Sequence, residues 1–257
     1  MDKPSATPSD RPVAIVTGAG SGIGRATAVR LAADGSRIVL AGRRESKLIE
    51  TATLIKSPDV SVSVCDVTDA RAVQAMVAGT LDGFGRIDTV VNNAGISRTA
   101  AFADVDLDSW RTVMAADVES IVLVTQAALP SLLESGGSVV NVASLAGLGG
   151  DPGMTMYNAA KGAVVNLTRS LAVELAGRGV RVNAVAPSLT MTDAVADIPA
   201  SDVAEFVRRI PMGRAAEPSE IADVIAFLVG PDARFVTGVI LPVDGGLRAS
   251  SGQPPHR

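Results

Sequence analysis

The sequence is poor in the residues that many enzyme active sites require. Its 257 residues include one cysteine, one histidine, one tyrosine and one tryptophan. A lone cysteine, Cys65, excludes an internal disulfide and a cysteine-rich zinc site, and it fits a reducing compartment. The single histidine, His256, lies in the terminal SGQPPHR, so a Ser-His-Asp hydrolase and a histidine-ligated metal site both lack their imidazole. We therefore expect a reaction that uses neither an imidazole nor a bound metal.

Long apolar runs and an excess of positive charge are also missing. No run approaches the roughly 20 apolar residues that a membrane-spanning helix needs, and residues 1–10 lack the apolar stretch of a signal peptide. The formal net charge of -4 leaves no basic footprint for nucleic acid. The sequence thus predicts a cytoplasmic protein whose partner is a small-molecule substrate, with no membrane or nucleic-acid partner.

The chain does contain a regular alternation of short β-branched runs and longer helical patterns. A β-α-β order implies parallel strands joined by right-handed crossovers, and strands as apolar as VAIVT are covered by helices on both faces. The pattern predicts an α/β fold, a doubly wound Rossmann-type parallel seven-stranded sheet with helices on both faces. The predicted strands are residues 13–17, 37–41, 60–64, 88–92, 138–143, 181–186 and 239–243.

The two ends and one internal stretch depart from this rhythm. No Gly- or Pro-rich linker divides the chain, so we expect one domain over residues 11–248 with flexible tails at 1–10 and 249–257. After the sixth strand, prolines punctuate short helical pieces, which predicts a substrate lid over about residues 188–217.

A glycine cluster follows the first predicted strand, in VTGAGSGIGRA. A pyrophosphate reaches the backbone N–H groups at a helix N-terminus only where no Cβ intervenes and the turn can adopt positive φ. The spacing of Gly18, Gly22 and Gly24 departs from G-x-G-x-x-G, but its place directly after the first strand favours dinucleotide binding over a plain tight turn. We predict that this turn, with Ser21 and Ile23, holds the cofactor.

The end of the second strand, in RIVLAGRRESKL, bears on the choice of cofactor. A carboxylate normally stands there and accepts a hydrogen bond from the ribose 2'-hydroxyl of NAD. Here Gly42 takes that place and is followed by Arg43 and Arg44, whose guanidinium groups suit a 2'-phosphate. The sequence favours NADP over NAD, and it leaves open that both arginines only face solvent.

The single tyrosine stands four residues before a lysine. Tyr157 and Lys161 share one face of a helix, and Ser144 ends a strand at the carboxyl edge of the sheet, where ligands bind in open α/β folds. A free phenol has a pKa near 10, but an ammonium about 4 Å away stabilises a phenolate by roughly 4 kcal/mol at an effective dielectric near 20. We predict that Tyr157 exchanges a proton with an alcohol or carbonyl while Ser144 orients that oxygen.

Together these motifs resemble the single-domain form of the short-chain dehydrogenase/reductase family, and within it the 3-oxoacyl-carrier-protein reductases. The match covers residues 13 to about 246 and rests on TGAGSGIG, the acidic Asp66 after the third strand, NNAG, and the Ser, Tyr and Lys positions. The resemblance implies an NADP- or NAD-dependent oxidoreductase acting on a secondary alcohol or ketone. It also implies that Lys161 binds the nicotinamide ribose and that Thr192 meets the carboxamide. The other cofactor residues that it implies are Asp66, Val67, Asn93, Ala94, Gly95 and Pro187.

The same resemblance implies a homotetramer built partly on the helices around 107–134 and 154–177. The alternative is that the apolar faces of these helices serve only the internal core.

Two positions depart from the family pattern. The family usually has an asparagine in the long helix after NNAG, where it holds a water linked to the active lysine, and the matching residue here is Asp117. An ionised carboxylate about 7 Å from Tyr157 opposes the phenolate by roughly 1 to 2 kcal/mol, so we expect slower activity or activity shifted to higher pH. Ser188, after Pro187, replaces a usual glycine and predicts a less free backbone at the entry to the lid.

Two other functions fit parts of the sequence. A dinucleotide-binding sensor or scaffold with weak or no turnover keeps the cofactor site, and Asp117 is its support. A methyltransferase holds S-adenosylmethionine on the same sheet, but it expects a carboxylate where Gly42 stands and no Tyr-Lys pair.

The substrate is not identified by the sequence. One set of apolar residues either lines a pocket or packs in the core, and three arginines either dock an acidic carrier protein or face solvent. The first set is Leu148, Met154, Met156, Leu189 and Met191, and the arginines are Arg208, Arg209 and Arg214.

Overall fold

A computed structural model describes residues 11–195 and 198–250, and its centre is one parallel sheet. The strands are β1 Val13–Thr17, β2 Arg37–Gly42, β3 Val60–Val64, β4 Thr89–Asn92, β5 Ser138–Val142, β6 Arg181–Pro187 and β7 Ile240–Val243. Their order across the sheet is β3-β2-β1-β4-β5-β6-β7, and every neighbouring pair is parallel. The predicted fold class is confirmed, and each predicted strand lies within one residue of its observed bounds.

Helices connect the strands and cover both faces of the sheet. They are α1 Gly22–Ala33, α2 Glu45–Leu54, α3 Ala70–Phe84, α4 Leu107–Met114, α5 Ser120–Ser135, α6 Thr155–Ala176, α7 Ala200–Arg209 and α8 Pro218–Val229. Local sequence sets several of their ends. Asp69 and Asp106 begin α3 and α4 by accepting backbone N–H bonds, and Gly85 and Gly136 end α3 and α5 in the left-handed conformation.

The core consists of two apolar layers, one on each face of the sheet. Successive side chains of a strand point to opposite faces, so Val13 and Ile15 join the layer under α3 and α5, whereas Ala14 and Val16 join the layer under α1 and α8. All five residues of β1 are buried, and the first four of them, Val13 to Val16, are apolar, as expected for a strand with helices on both faces.

The order of the strands determines where the candidate site lies in the sheet. β1 pairs with β2 on one side and β4 on the other, so the connections after β1 and β4 leave in opposite directions. The carboxyl ends of these two strands therefore border a crevice, which is where open α/β sheets bind ligands.

Helices α4 and α5 form one continuous rod through a π-helical turn, Ala115–Glu119. This rod, Leu107–Ser135, is the described segment that is long and apolar enough to cross a membrane by length and composition. The sequence did not indicate this segment as a possible membrane span, because acidic residues interrupt its apolar run. A core helix passes the same test, and Val124, Ala128 and Leu132 are buried against the sheet.

The predicted tails and lid are described only in part. Residues 1–10 and 251–257 lie outside the described residues, as do 196–197 within the predicted lid. A short 3-10 helix, Leu247–Ala249, carries secondary structure past the predicted boundary at 248. Within the described chain no non-glycine residue has positive φ, so Ser188 replaces the usual glycine without backbone strain.

Candidate active site

A cavity of about 1160 Å³ opens at the carboxyl edge of the sheet. Its wall includes both the glycine turn after β1 and the predicted Ser, Tyr and Lys group, which lie far apart in the sequence. The predicted site residues that line it are Gly18, Ser21, Gly22, Ile23, Arg43, Asp66, Val67, Asn93, Ala94, Gly95, Asp117, Ser144, Tyr157, Lys161, Pro187 and Thr192.

Gly24 is the predicted cofactor residue that does not line this cavity. It is buried in the first turn of α1, and a Cβ there would lie 2.4 Å from the Gly18 carbonyl oxygen and 2.4 Å from Asn93 Nδ2. Gly24 therefore allows α1 to pack against the turn, and its contact with the cofactor stays a prediction. Gly18 and Gly22 have φ of 64° and 51°, a conformation that side chains disfavour.

The side chains of Thr17 and Asn93 hold the glycine turn in place, and the sequence motifs did not predict this structural function. The Thr17 hydroxyl accepts the backbone N–H groups of Asn93 at 2.9 Å and Ala94 at 3.0 Å. Asn93 Nδ2 in turn donates to the Thr17 carbonyl at 2.9 Å. These bonds join the ends of β1 and β4, so Asn93 supports the turn as well as lining the cavity. The threonine directly before the glycine cluster was the available sequence signal.

The N-terminus of α1 suits an anion. Ser21 occupies the N-cap position but its side chain makes no capping hydrogen bond, and the first turn holds no acidic residue. The first backbone N–H groups and the positive end of the helix dipole are thus available to a pyrophosphate. Thr192 lies beside this turn, because a Cβ on Gly22 would come within 2.9 Å of its Cγ2.

Arg43 and Asp66 form the polar rim at another part of the cavity. Asp66 Oδ1 accepts from the Thr68 backbone N–H at 3.0 Å and from the Thr68 hydroxyl at 2.8 Å. These hydrogen bonds, with a smaller contribution from the Arg43 charge, hold the pKa of Asp66 below its usual value. Asp66 and Arg43 thus bring opposite charges to the same rim of the cavity.

The lone cysteine belongs to the wall of the site and not to its chemistry. Cys65 lines the cavity and is 2% exposed. Burial, and then the charges of Asp66 and Asp69, raise the pKa of its thiol to about 11. The thiol is therefore protonated at neutral pH and acts as a small apolar group.

Tyr157, Lys161 and Ser144 come together on the wall of the cavity. Tyr157 lies in the first turn of α6, and Lys161 Nζ lies 5.6 Å from the centre of its ring. Lys161 is 5% exposed and donates to the Val142 carbonyl at 3.0 Å, which fixes the ammonium at the end of β5. Ser144 follows the same strand, and its hydroxyl accepts the Ala146 N–H at 3.2 Å.

Asp117 contacts the lysine directly. Its Oδ2 lies 3.1 Å from Lys161 Nζ, and its Oδ1 accepts the Ile96 backbone N–H at 2.7 Å. The carboxylate is fully buried in the π-helical turn, and Gly95 makes room for it because a Cβ there would lie 3.1 Å from Oδ1. Oδ2 accepts no well-directed hydrogen bond from the described residues, so its contact with the ammonium is mainly coulombic. We expected this carboxylate to oppose the phenolate of Tyr157, which stays a prediction, and the structure adds that Asp117 contacts Lys161 directly.

A buried polar network fixes α6 to the sheet. Asn92 and Asn141 are register partners on β4 and β5, and Asn92 Nδ2 donates to Asn141 Oδ1 at 2.9 Å and to Thr125 on α5 at 3.0 Å. Asn141 Nδ2 donates at 2.9 Å to Thr168, which lies on α6. The helix that carries Tyr157 and Lys161 is therefore held to the sheet by side-chain hydrogen bonds that the sequence motifs did not predict.

The apolar candidates for substrate contact separate into two groups. Met154 and Leu189 line the cavity. Met156 packs in the core with Val113 and Ala160, Leu148 packs beside a separate core cluster, and Met191 is 45% exposed without lining the cavity. Residues that line the cavity and that the sequence did not indicate include Ile96, Ile198, Phe206, Leu247 and Arg248.

The arginine group that was considered for a carrier protein faces solvent. Arg209 pairs with Glu205 at 3.3 Å, and Arg214 pairs with Glu220 at 2.6 Å. This arrangement fits the solvent-facing alternative.

The chain is similar to known oxidoreductases along most of its length. The family model described as enoyl-(acyl carrier protein) reductase matches residues 18–248. The meso-2,3-butanediol dehydrogenase of Serratia marcescens is 44% identical over 246 residues, which cover 95% of this chain and 98% of that protein.

Solved structures agree as well. A 3-ketoacyl-(acyl-carrier-protein) reductase from Brucella melitensis complexed with NADH superposes with a TM-score of 0.87 at 34% identity, covering 92% of this chain and 98% of that chain. Levodione reductase gives a TM-score of 0.90 at 37% identity, covering 93% and 98%. With the glycine turn, the strand order and the Ser, Tyr and Lys group in place, the chain belongs to the short-chain dehydrogenase/reductase family and is an NAD(P)-dependent oxidoreductase.

Proposed function

We propose that the protein transfers a hydride between NADP(H) and a secondary alcohol or ketone, with Tyr157 as the acid/base. The observation that carries the proposal is that Tyr157, Lys161 and Ser144 share one cavity with an uncapped helix N-terminus behind a glycine turn. The test is a panel of ketones with NADPH or NADH, followed by nicotinamide absorbance. Cofactor binding without turnover of any ketone would favour the sensor alternative.

The residues of this chain account for the proton. A bound nicotinamide supplies or accepts the hydride. In the oxidative direction, the alcohol carbon loses its hydride and the alcohol oxygen loses its proton to Tyr157 Oη, and reduction runs the same steps backwards. Ser144 donates to the reacting oxygen and fixes its position. Lys161 stabilises the phenolate, and Asp117 offsets part of that charge.

We also propose that NADP is preferred over NAD. Arg43 and Arg44 line the cavity after β2, where Gly42 leaves no carboxylate to repel a phosphate. A Cβ on Gly42 would lie 3.3 Å from Leu48 Cδ2, so this position favours glycine for packing as well. A guanidinium binds a 2'-phosphate through paired, charge-assisted hydrogen bonds.

Arg43→Ser is expected to raise the KM for NADP about 10- to 100-fold, as for the loss of a charge-assisted contact, while the KM for NAD stays unchanged. Initial rates with both cofactors at a fixed ketone concentration measure this. Arg178→Ser is the matched control, because Arg178 is exposed and does not line the cavity. A wild type that prefers NAD, or an equal loss with both cofactors, would contradict the assignment.

We propose further that the protein is a homotetramer that uses the outer faces of helices 107–134 and 154–177. Val122 is 41% exposed and Val173 is 84% exposed on these helices, which is unfavourable for apolar side chains in water. Light scattering is expected to give the tetramer mass, and Val173→Glu should reduce it, whereas Arg178→Ser should not. A monomeric wild type would reject this assembly.

The division of the chain into one domain with a lid fits the same function. We propose that residues 11–248 act as one cytoplasmic unit and that 188–217 form the substrate lid. In the described part of that lid, α7 has no buried residue, yet Phe206 and Ile198 line the cavity.

A further inference from the structure

Among the cationic side chains around the cavity, Arg248 has no function in the reaction described above. The side chains of this group are Arg43, Arg44, Lys47, Lys161 and Arg248. Arg43 and Arg44 follow β2, Lys47 pairs with Glu50 at 2.9 Å, and Lys161 pairs with Asp117. In the described chain, Arg248 makes no salt bridge.

Arg248 lies at the substrate part of the cavity. Its Nη1 would lie 3.8 Å from a Cβ on Gly149, so the guanidinium is beside the loop that leads from Ser144 to α6. Neighbouring Leu247 also lines the cavity, as do Met154 and Leu189. The guanidinium therefore lies at the edge of an apolar wall and not beside the glycine turn.

The backbone that carries Arg248 is fixed. Asp244 is 9% exposed, and its two carboxylate oxygens accept the N–H groups of Gly246 at 2.9 Å and Arg248 at 2.8 Å. Gly245 packs closely, because a Cβ there would lie 2.6 Å from Ile210 Cγ2. Because this backbone is already ordered, it loses little further conformational entropy when the side chain binds a ligand.

None of the described acidic residues of the cavity wall forms an ion pair with Arg248. Asp151 Oδ2 accepts from Asn158 Nδ2 at 3.1 Å, and Asp193 lies in the 3-10 turn at the start of the lid. Neither carboxylate comes within ion-pair distance of the guanidinium. The positive charge is thus available to a ligand in the cavity.

We propose that Arg248 determines substrate specificity by pairing with a carboxylate on the substrate, so that the preferred substrate is an oxo acid or the matching hydroxy acid. A guanidinium presents two parallel N–H donors, which fit the two oxygens of a carboxylate. The apolar wall takes the carbon chain between that carboxylate and the carbonyl carbon. This inference rests on the proposed reduction of ketones and adds the class of ketone.

The test compares each acid with its neutral methyl ester. The probes are 3-oxobutanoate, 4-oxopentanoate and 5-oxohexanoate with their methyl esters, and dihydroxyacetone phosphate against dihydroxyacetone for a phosphate in place of the carboxylate. For at least one chain length, wild type is expected to prefer the acid over its ester by about tenfold or more in kcat/KM, as for one charge-assisted contact. Added salt should reduce the preference.

Arg248→Gln is expected to bring the acid and ester to equal kcat/KM, chiefly by raising the KM of the acid, while kcat and the KM for the ester stay unchanged. Arg248→Lys should restore part of the preference, and Arg178→Gln should leave it intact. Equal rates for acids and esters in wild type, or a loss for both in Arg248→Gln, would overturn the inference. A preference for the phosphate pair alone would also overturn the carboxylate assignment.

Calorimetry separates this inference from the proposed function. If no ketone is reduced with either cofactor, the proposed function fails. Binding of 4-oxopentanoate to the cofactor-loaded protein would then still decide the role of Arg248. If Arg248→Gln abolishes this binding, the role is supported, and if the variant binds as wild type does, the role is rejected.

Discussion

Tyr157→Phe is expected to lower kcat about 10²- to 10⁴-fold, the usual contribution of a positioned acid/base, while the affinity for NADP stays unchanged. The substitution removes one oxygen and keeps the ring, so the packing of α6 against the sheet is preserved. Lys161 and Ser144 remain in the cavity but neither replaces the phenol, because Lys161 is held by Val142 and Asp117. Steady-state rates with a responsive ketone measure the loss, and nicotinamide fluorescence measures the affinity.

The control uses the rarity of tyrosine in this chain. Because Tyr157 is the only tyrosine, the tyrosinate absorbance of the protein reports its ionisation alone. That signal should vanish in Tyr157→Phe, and it should rise over the same pH range as kcat for oxidation in wild type. Retained turnover in the variant, or a tyrosinate signal unrelated to rate, would remove Tyr157 from the mechanism.

The fold was predictable because local and global signals agree in its strands. The sequence VAIVT is apolar at its first four positions, and β1 is buried at every position by helices on both faces. The parallel pairing of the strands followed from the alternation of strands and helices, since a right-handed crossover joins parallel strands, whereas the strand order is seen only in the structure. The domain boundary at 248 stays a prediction, and the short helix Leu247–Ala249 next to it was not predicted because it is held by Asp244 and carries no periodic pattern.

The site was predictable where one short motif carries the function, and not where it depends on contacts between distant segments. The spacing of Tyr157 and Lys161 placed both on one face of α6. No spacing reveals that Asp117 reaches Lys161, because a π-helical turn sets its direction. Met156 and Leu148 looked equivalent to Met154 in the sequence, but only Met154 lines the cavity, because Met156 and Leu148 pack against two different core clusters.

The buried ion pair changes how the reaction centre should be viewed. Asp117 is fully buried and Lys161 is 5% exposed, so each charge depends on the other to offset the cost of leaving water. The electrostatic potential of this ion pair at Tyr157 is therefore weaker than that of an unpaired ammonium would be. Loss of either partner alone therefore destabilises the fold, and the same contact moderates the activation of the phenol.

Lys161→Met is expected to lower the free energy of unfolding by about 3 to 5 kcal/mol and to lower kcat at least as far as Tyr157→Phe does. The stability loss arises because the Asp117 carboxylate is left buried without its cation. Adding Asp117→Asn to give the double variant should restore most of the stability but none of the activity. Asp117→Asn alone should leave the rate unchanged or raise it, because the ammonium then acts undiminished on the phenol. Urea unfolding and steady-state kinetics on all four proteins complete the cycle.

The exposed pair between Arg209 and Glu205 provides the control for this cycle. Its side chains are 71% and 59% exposed, so Glu205→Gln should change stability by less than about 1 kcal/mol. If the effects of Lys161→Met and Asp117→Asn on stability simply add in the double variant, the two charges do not depend on each other. If Asp117→Asn instead lowers kcat severely, the carboxylate has a positive function, such as holding the ammonium toward the phenol, and the moderating role assigned to it is wrong.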